Sequence, residues 1–265
     1  MLGLGTSLIY DKFVGGFVNS QALNFDGAND SARWPADSTF EDLVGNSSFT
    51  ISAWCQYNVP ASSQGSTGNS LLGDTLEFVS SNLLGLQLGV MYGEGHATVS
   101  SRDTMVFSLI LGSTTYFNTV VEDISDYVTD GQYFHLAYRS AASGGARTGN
   151  IYINGVDRTS SDSSTSGNFS GVGILNHRFG AKNQLGSLAH YTRGKLDEFS
   201  IYNIALDQTR IAQLYNNGCP LDDQSTSSVI GYWRMEEASG DALDTSSNSN
   251  DIERIGATFT TATPC

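Results

Sequence analysis

Residues 194–218 read Gly194-Lys-Leu-Asp-Glu-Phe-Ser-Ile-Tyr-Asn-Ile-Ala-Leu-Asp-Gln-Thr-Arg-Ile-Ala-Gln-Leu-Tyr-Asn-Asn-Gly218. Leu196, Phe199, Ile201 and the pair Ile204/Leu206 form the short apolar run of a half-buried strand. Asp207 then offers an N-cap oxygen, and Ile211, Leu214 and Tyr215 recur at helical spacing until Gly218 ends the turn. This is the chain's one convincing helix, near residues 207–217. It follows a long stretch that lacks helical periodicity, so the class is all-β with a single late helix.

Working outward, strands alternate with turns and no linker interrupts them. Ala22–Asp26 runs into the Asp26-Gly27 turn, and Ser31–Trp34 returns from it. Phe49–Tyr57 is the clearest strand, with Phe49, Ile51, Ala53 and Cys55 on one face and Thr50, Ser52, Trp54 and Gln56 on the other. Further strands are expected at Leu83–Tyr92, Met105–Leu111 and Tyr133–Arg139, and Asn154-Gly155 marks a hairpin. Glycine is abundant at 29 and proline scarce at 4, as many short strands and tight turns require. A chain of 265 residues fits one large sandwich.

Four blocks resemble laminin-G-like domains of the concanavalin A-like lectin/glucanase superfamily, of the kind carried by phage and virus structural proteins. They are Ala22-Leu-Asn-Phe-Asp-Gly-Ala-Asn-Asp30, Ser48-Phe-Thr-Ile-Ser-Ala-Trp54, Asp130–Ala137 with Asn150–Val156, and the stretch quoted above. The resemblance implies a two-sheet antiparallel jelly roll. Residues 21–265 form one such domain, and residues 1–20 precede it as an arm or first strand. Val229-Ile-Gly-Tyr-Trp-Arg-Met-Glu236, followed by Asp244-Thr-Ser-Ser-Asn-Ser-Asn-Asp251, resembles the family's opening segment but stands at the end of this chain. Residues 229–265 are therefore either a permuted closing segment or one exchanged with a neighbouring subunit.

The same resemblance implies a structural Ca²⁺ held by Asp26, Asn29, Asp30 and Asp197; the plainer reading makes Asp26-Gly27 a turn and Asp197 a backbone acceptor. No Glu-x-Asp-x-x-Glu strand supplies a glycosidase pair, and Asp197-Glu198 alternate to opposite faces of a regular strand. The histidines at 96, 135, 177 and 190 lack partners at zinc-ligand spacing, and nucleophile and nucleotide motifs are absent. Tyr92, Tyr116 and Tyr191 stand in turn-rich stretches and are the candidate sugar-contacting aromatics. Cys55, Cys219 and Cys265 are expected as free thiols.

A net charge of −14, from 13 basic and 27 acidic residues, excludes nucleic-acid and anionic-membrane partners. No run is long and apolar enough to span a membrane, and the N-terminus has no signal-peptide pattern. The expectation is a non-catalytic virion protein, a capsid decoration or tail-fibre component made in the host cytoplasm. It would contact itself, other virion proteins and host glycans. The alternative is a stand-alone calcium-dependent carbohydrate-binding lectin or adhesin.

Overall fold

A computed structural model describes residues 18–35, 47–58, 74–80, 84–92, 103–111, 116–143, 146–163, 176–184, 187–189, 191–222 and 227–265. The strands run in chain order β1 Ala22–Asp26, β2 Ser31–Pro35, β3 Phe49–Tyr57, β4 Asp74–Ser80, β5 Leu84–Tyr92 and β6 Asp103–Leu111. They continue as β7 Tyr116–Glu122, β8 Tyr133–Ser143, β9 Ala146–Ile153, β10 Val156–Asp157, β11 Ser161–Asp162 and β12 Asn176–Phe179. After β13 Lys182–Gln184, β14 Ser187–Ala189 and β15 Arg193–Tyr202 comes helix α1, Gln208–Tyr215. The chain closes with β16 Val229–Trp233, β17 Glu253–Ile255 and β18 Thr258–Thr260.

Among the described residues these strands form two eight-stranded antiparallel sheets packed as a sandwich, and β13 and β14 pair as a separate two-stranded ladder. One large sheet has the order β10-β9-β8-β3-β15-β1-β18, with β16 also on β15; the other has the order β11-β7-β6-β5-β4-β12-β2-β17. Alternation along each strand sends one set of side chains inward. Leu23, Phe25, Phe49, Ile51, Cys55, Phe134, Leu136, Tyr138, Leu196, Phe199 and Trp233 meet Met105, Phe107, Val121 and Phe179 between the sheets. Phe107 stacks on Tyr138 at 3.8 Å between ring centres, fixing the spacing of the two layers.

Strand β3 is buried along its whole length, which its alternating pattern does not predict. Its second face is covered by α1. Asp207 caps the helix, its carboxylate accepting from Arg210 N at 2.8 Å, and Ile211 and Leu214 point down. They pack with Ala137, Tyr152, Tyr202, Leu206, Val229 and Tyr232 in a second apolar cluster outside the sandwich. The Asn154-Gly155 hairpin supports this helix. Both residues have positive φ, 52° and 74°, and a Cβ on Gly155 would lie 3.1 Å from the helix at Ala212 Cα and Tyr215 Cβ. The helix ends one turn before Gly218, because Asn216 and Asn217 take the left-handed positions.

The closing segment joins both sheets of its own chain. Strand β16 lies on β15, β17 on β2 and β18 on β1. Between β17 and β18 the chain crosses the sandwich edge at Gly256, beside the 27–30 turn that crosses from β1 to β2. The acidic, Asn-rich loop before it is organised by Asp244, which is 7% exposed. Its carboxylate accepts from Tyr232 N (2.9 Å), Ser246 N (2.8 Å), Ser246 Oγ (2.9 Å) and Asn250 N (2.9 Å). Trp233 Nε1 donates to Asn250 O at 2.8 Å, locking the loop over the core.

Asp244→Ala would leave several buried donors unpaired, so it should destabilise the fold by about 3–5 kcal/mol. Urea denaturation followed by tryptophan fluorescence measures this; a loss within error of wild type would show that the hub is dispensable.

Candidate functional site

The late acidic pair sits where β15 changes partner. Residues 193–196 pair with β1 and residues 199–202 with β16 along the same edge. Between them the register with β3 shifts, and Glu198 adopts φ 47°. This bulge corrects the expectation of a regular strand with its two carboxylates on opposite faces.

Asp197 is fully buried, accepting from Asn19 Nδ2 at 3.0 Å and from Glu198 N at 2.9 Å. Glu198 is 5% exposed; Tyr232 Oη donates to its Oε2, and Arg234 Nε lies 3.8 Å from its Oε1. Glu236 accepts from Ser20 N at 2.8 Å and Ser20 Oγ at 2.6 Å, while Arg234 donates to Val18 O at 2.9 Å. The three carboxylates and Arg234 thus fasten residues 18–21 to residues 234–236. Burial holds Asp197 well above the usual carboxylate range, with the Glu198 charge adding to it. Burial likewise raises Glu198 to about 8 against the partial relief of Tyr232 and Arg234.

The four residues expected to share a calcium are not brought together. Asp26 pairs with Arg193, four residues from Asp197 along β15, or about 13 Å at strand rise. At the turn, Asp26 Oδ1 accepts from Ala28 N at 2.7 Å and Asn29 N at 3.4 Å, and Asp30 Oδ2 accepts from Asp26 N at 2.8 Å. Asn29 is exposed. Asp30 pins the edge crossing, since a Cβ on Gly256 would lie 2.3 Å from its Oδ1. These residues do not fit one calcium site. No group of three His, Cys, Asp or Glu side chains among the described residues is placed to hold a metal ion.

The three expected aromatics also stand apart. Tyr92 pairs with Asp103 and Tyr116 with Ile110, seven residues along β6, or about 23 Å. Their side chains lie outside the described residues, as do His96 and His190; of His177 only the backbone is described. Tyr191 is half-buried and lies two residues before Arg193. Cys55 is a buried core residue whose thiol is raised by desolvation, Cys219 is half-buried and Cys265 exposed.

The sheet face under and beside α1 carries the remaining polar chemistry. Beneath the helix His135 is 1% exposed, its Nε2 2.8 Å from Ser52 Oγ, with Trp54 stacked on Tyr215 at 5.8 Å beside it. Burial lowers His135 to about 3. Beyond the helix two cross-strand rows point outward, since their chain neighbours Leu23, Phe25, Cys55, Tyr57, Phe134 and Leu196 point into the core. The first row is Asn24, Lys195, Gln56 and Tyr133; the second is Asp26, Arg193 and Asn58. Lys195 Nζ donates to Gln56 Oε1 and lies 5.9 Å from the Tyr133 ring centre. Gln56 donates to Gly131 O at 2.7 Å, and Tyr133 Oη donates to Ala262 O at 2.6 Å. Sequence reasoning missed this platform. Alternation around Cys55 and Leu196 places each residue outward, but only strand order aligns them.

A two-sheet antiparallel sandwich with this strand pattern is a lectin-like fold. Residues 26–212 match the laminin-G-type model of the concanavalin A-like lectin/glucanases superfamily, and the chain belongs to that superfamily. No curated protein matches the sequence. Among solved structures, a candidate carbohydrate-binding protein from Bacteroides ovatus superposes with TM-score 0.55 at 15% identity, covering 91% of this chain and 60% of that one. This chain thus spans about three-fifths of that protein's length. A heptameric pentraxin from Limulus polyphemus gives 0.49 at 11% identity, covering 91% and 96%. A carbohydrate-binding domain of a Ruminococcus gnavus sialidase, bound to sialyllactose, gives 0.48 at 13% identity, covering 72% and 96%.

Buried groups set opposing pH slopes, with Asp197 acting in the same direction as Glu198. Glu198, at about 8 when folded against an ordinary 4.5, costs stability when ionised, so stability rises as pH falls from 8 toward 4.5. His135, at about 3 against 6.5, loses its contribution as pH falls from 6.5 to 3. Calorimetry should therefore show stability rising by about 2 kcal/mol from pH 8 to 6.5 and falling below pH 4.5. Glu198→Gln should reduce the upper limb, leaving the part that belongs to Asp197, and should not change the lower limb; an unchanged upper limb would show that Glu198 ionises freely.

Proposed function

We propose that this chain is a non-catalytic carbohydrate-contact module on a lectin-like sandwich. The observation that carries this reading is the outward platform of Asn24, Lys195, Gln56, Tyr133, Arg193 and Asn58, which sets amides and cations beside one aromatic ring. Such a combination serves sugars, which offer hydroxyls for hydrogen bonding and an apolar ring face for an aromatic partner. The late acidic pair supports the absence of hydrolysis. Asp197 and Glu198 are engaged by Asn19, Tyr232 and Arg234 and tie chain segments together, whereas a glycosidase needs two carboxyls flanking a bound sugar.

On incubation with a panel of oligosaccharides, the full chain should retain bound glycan and release no reducing ends. Turnover of any bound glycan would overturn the non-catalytic reading, and binding of none would overturn the carbohydrate reading.

The setting we propose is a virion surface, where the module meets copies of itself and host glycans. The support is the resemblance of the Gly231-Tyr-Trp-Arg-Met-Glu236 ending to phage-like structural proteins. In that setting the purified chain should run as a defined oligomer in size-exclusion chromatography with light scattering. A monomer at every concentration would remove the self-assembly part of the proposal and leave the stand-alone lectin.

A further inference from the structure

The outward platform holds more positive charge than its frame requires. Arg193 and Lys195 occupy alternate positions of β15 and so project from the same face, in a chain with only 13 basic residues and a net charge of −14. Arg33 finds a carboxylate at Glu253, 2.7 Å away, whereas the Arg139 and Arg254 side chains bond carbonyl and amide oxygens instead of a carboxylate. Lys195 has none among the described residues. Its ammonium is half-buried, touches an amide oxygen and an aromatic ring, and is lowered by desolvation. Holding a half-buried cation without a counter-charge costs free energy that packing alone would remove by substituting an apolar or amide side chain. Arg193 is exposed, and its guanidinium makes no ion pair among the described residues even though Asp26 is its cross-strand neighbour.

The remaining groups give this charge a setting. Gln56 and Asn58 flank the two cations on β3 and its extension, Asn24 stands on β1, and Tyr133 closes the row on β8. Four strands at about 4.8 Å spacing make a shelf roughly 14 Å across. Helix α1 covers only the other half of this face, over Ser52, Trp54 and His135; on the shelf Arg193 is exposed, Asn24, Asn58, Tyr133 and Lys195 are half-buried and Gln56 is buried. The C-terminal residues reach its margin at Tyr133 through Ala262 O.

We propose that this shelf is a subsite for an oxyanion-bearing saccharide, its carboxylate or sulfate held between Lys195 and Arg193 and a sugar ring laid against Tyr133. The guanidinium supplies a planar two-pronged donor and the ammonium a point charge, a combination that recognises either oxyanion. Asn24 and Asn58 serve the adjoining hydroxyls, while Gln56 holds the Lys195 ammonium in place. The subsite rests on the carbohydrate-contact reading and names the chemistry of its ligand.

Titration calorimetry on the full chain, with tri-galacturonate, a sulfated disaccharide, maltotriose and inorganic sulfate as separate probes, tests it. One or both anionic sugars should bind, and which one identifies the oxyanion. Lys195→Gln should weaken that binding about tenfold and the Lys195→Gln/Arg193→Gln pair should abolish it, since each removes a charge-assisted contact. Tyr133→Leu should weaken the sugars and leave any inorganic sulfate binding unchanged. Thermal midpoints of the Lys195 and Arg193 variants should stay near wild type, and Tyr133→Leu should lose only what its bond to Ala262 O contributes. Maltotriose binding as tightly as tri-galacturonate, unaffected by Lys195→Gln, would overturn the subsite while keeping the carbohydrate-contact reading. Inorganic sulfate binding as tightly as the anionic sugars would overturn the saccharide assignment. No binding by any sugar would overturn both readings.

Discussion

Strand β15 must serve two partners along one edge, and much of the closure of this sandwich follows from how it does so. β1 takes its first half and β16 its second. These two partners come from opposite ends of the chain, so the ladder must break where one hands over to the other. The break is the Asp197-Glu198 bulge, with Glu198 held at positive φ. Backbone donors at the break are taken up by carboxylates, the Glu198 amide by Asp197 and the Ser20 amide by Glu236, and the side chains of Asn19 and Ser20 donate to the same two carboxylates. Burying Asp197 and Glu198 together, beside the half-buried Glu236, is costly, and the raised protonation range of the two buried groups is the sign of that cost. In return, the joint between the two chain ends has a fixed register.

The second constraint is coverage of the central strand. A sandwich normally needs one buried face per strand, yet β3 is buried on both. The segment after β15 folds α1 back over the outer face, and the Asn154-Gly155 hairpin supports it from below. Half of that face becomes a closed apolar layer, and in the other half polar side chains cover Gln56 while Arg193 reaches solvent. The boundary between the halves runs between Trp54, stacked on Tyr215, and Gln56, bonded to Lys195. Placement of one eight-residue helix thus decides which part of the sheet can meet a partner.

Charge distribution sharpens that division. The acidic excess is spread through turns such as Asp26–Asp30 and hubs such as Asp244, where carboxylates accept backbone donors and do structural work. The shelf, by contrast, gathers two cations against a single carboxylate, Asp26, which stands across from Arg193 without forming an ion pair among the described residues. An acidic body bearing a small positive patch repels most polyanions while leaving a local attraction for a short anionic ligand.

Much of the fold was legible in the chain. Alternation marked β3 and β8, Asn154-Gly155 marked its hairpin, and Asp207 with Ile211 and Leu214 marked the helix, because each signal depends on neighbours within a few residues. The proposed calcium set was not assembled, because Asp26 and Asp197 lie on adjacent strands but four register positions apart, a separation that no local pattern encodes. The opposite-face reading of Asp197-Glu198 failed for a related reason: the bulge arises from β15 changing partner, which only β1 and β16 together impose. The shelf was hidden because Asn24, Gln56, Tyr133 and Lys195 are far apart in sequence and become one row only when β1, β15, β3 and β8 stand side by side. By itself the sequence determined the elements, their faces and their superfamily, since periodicity and turn chemistry are local. Tertiary structure alone decided the partners of β15, the half of the sheet left uncovered by the helix and the side chains that share it, since strand order and register are settled by long-range burial and backbone pairing.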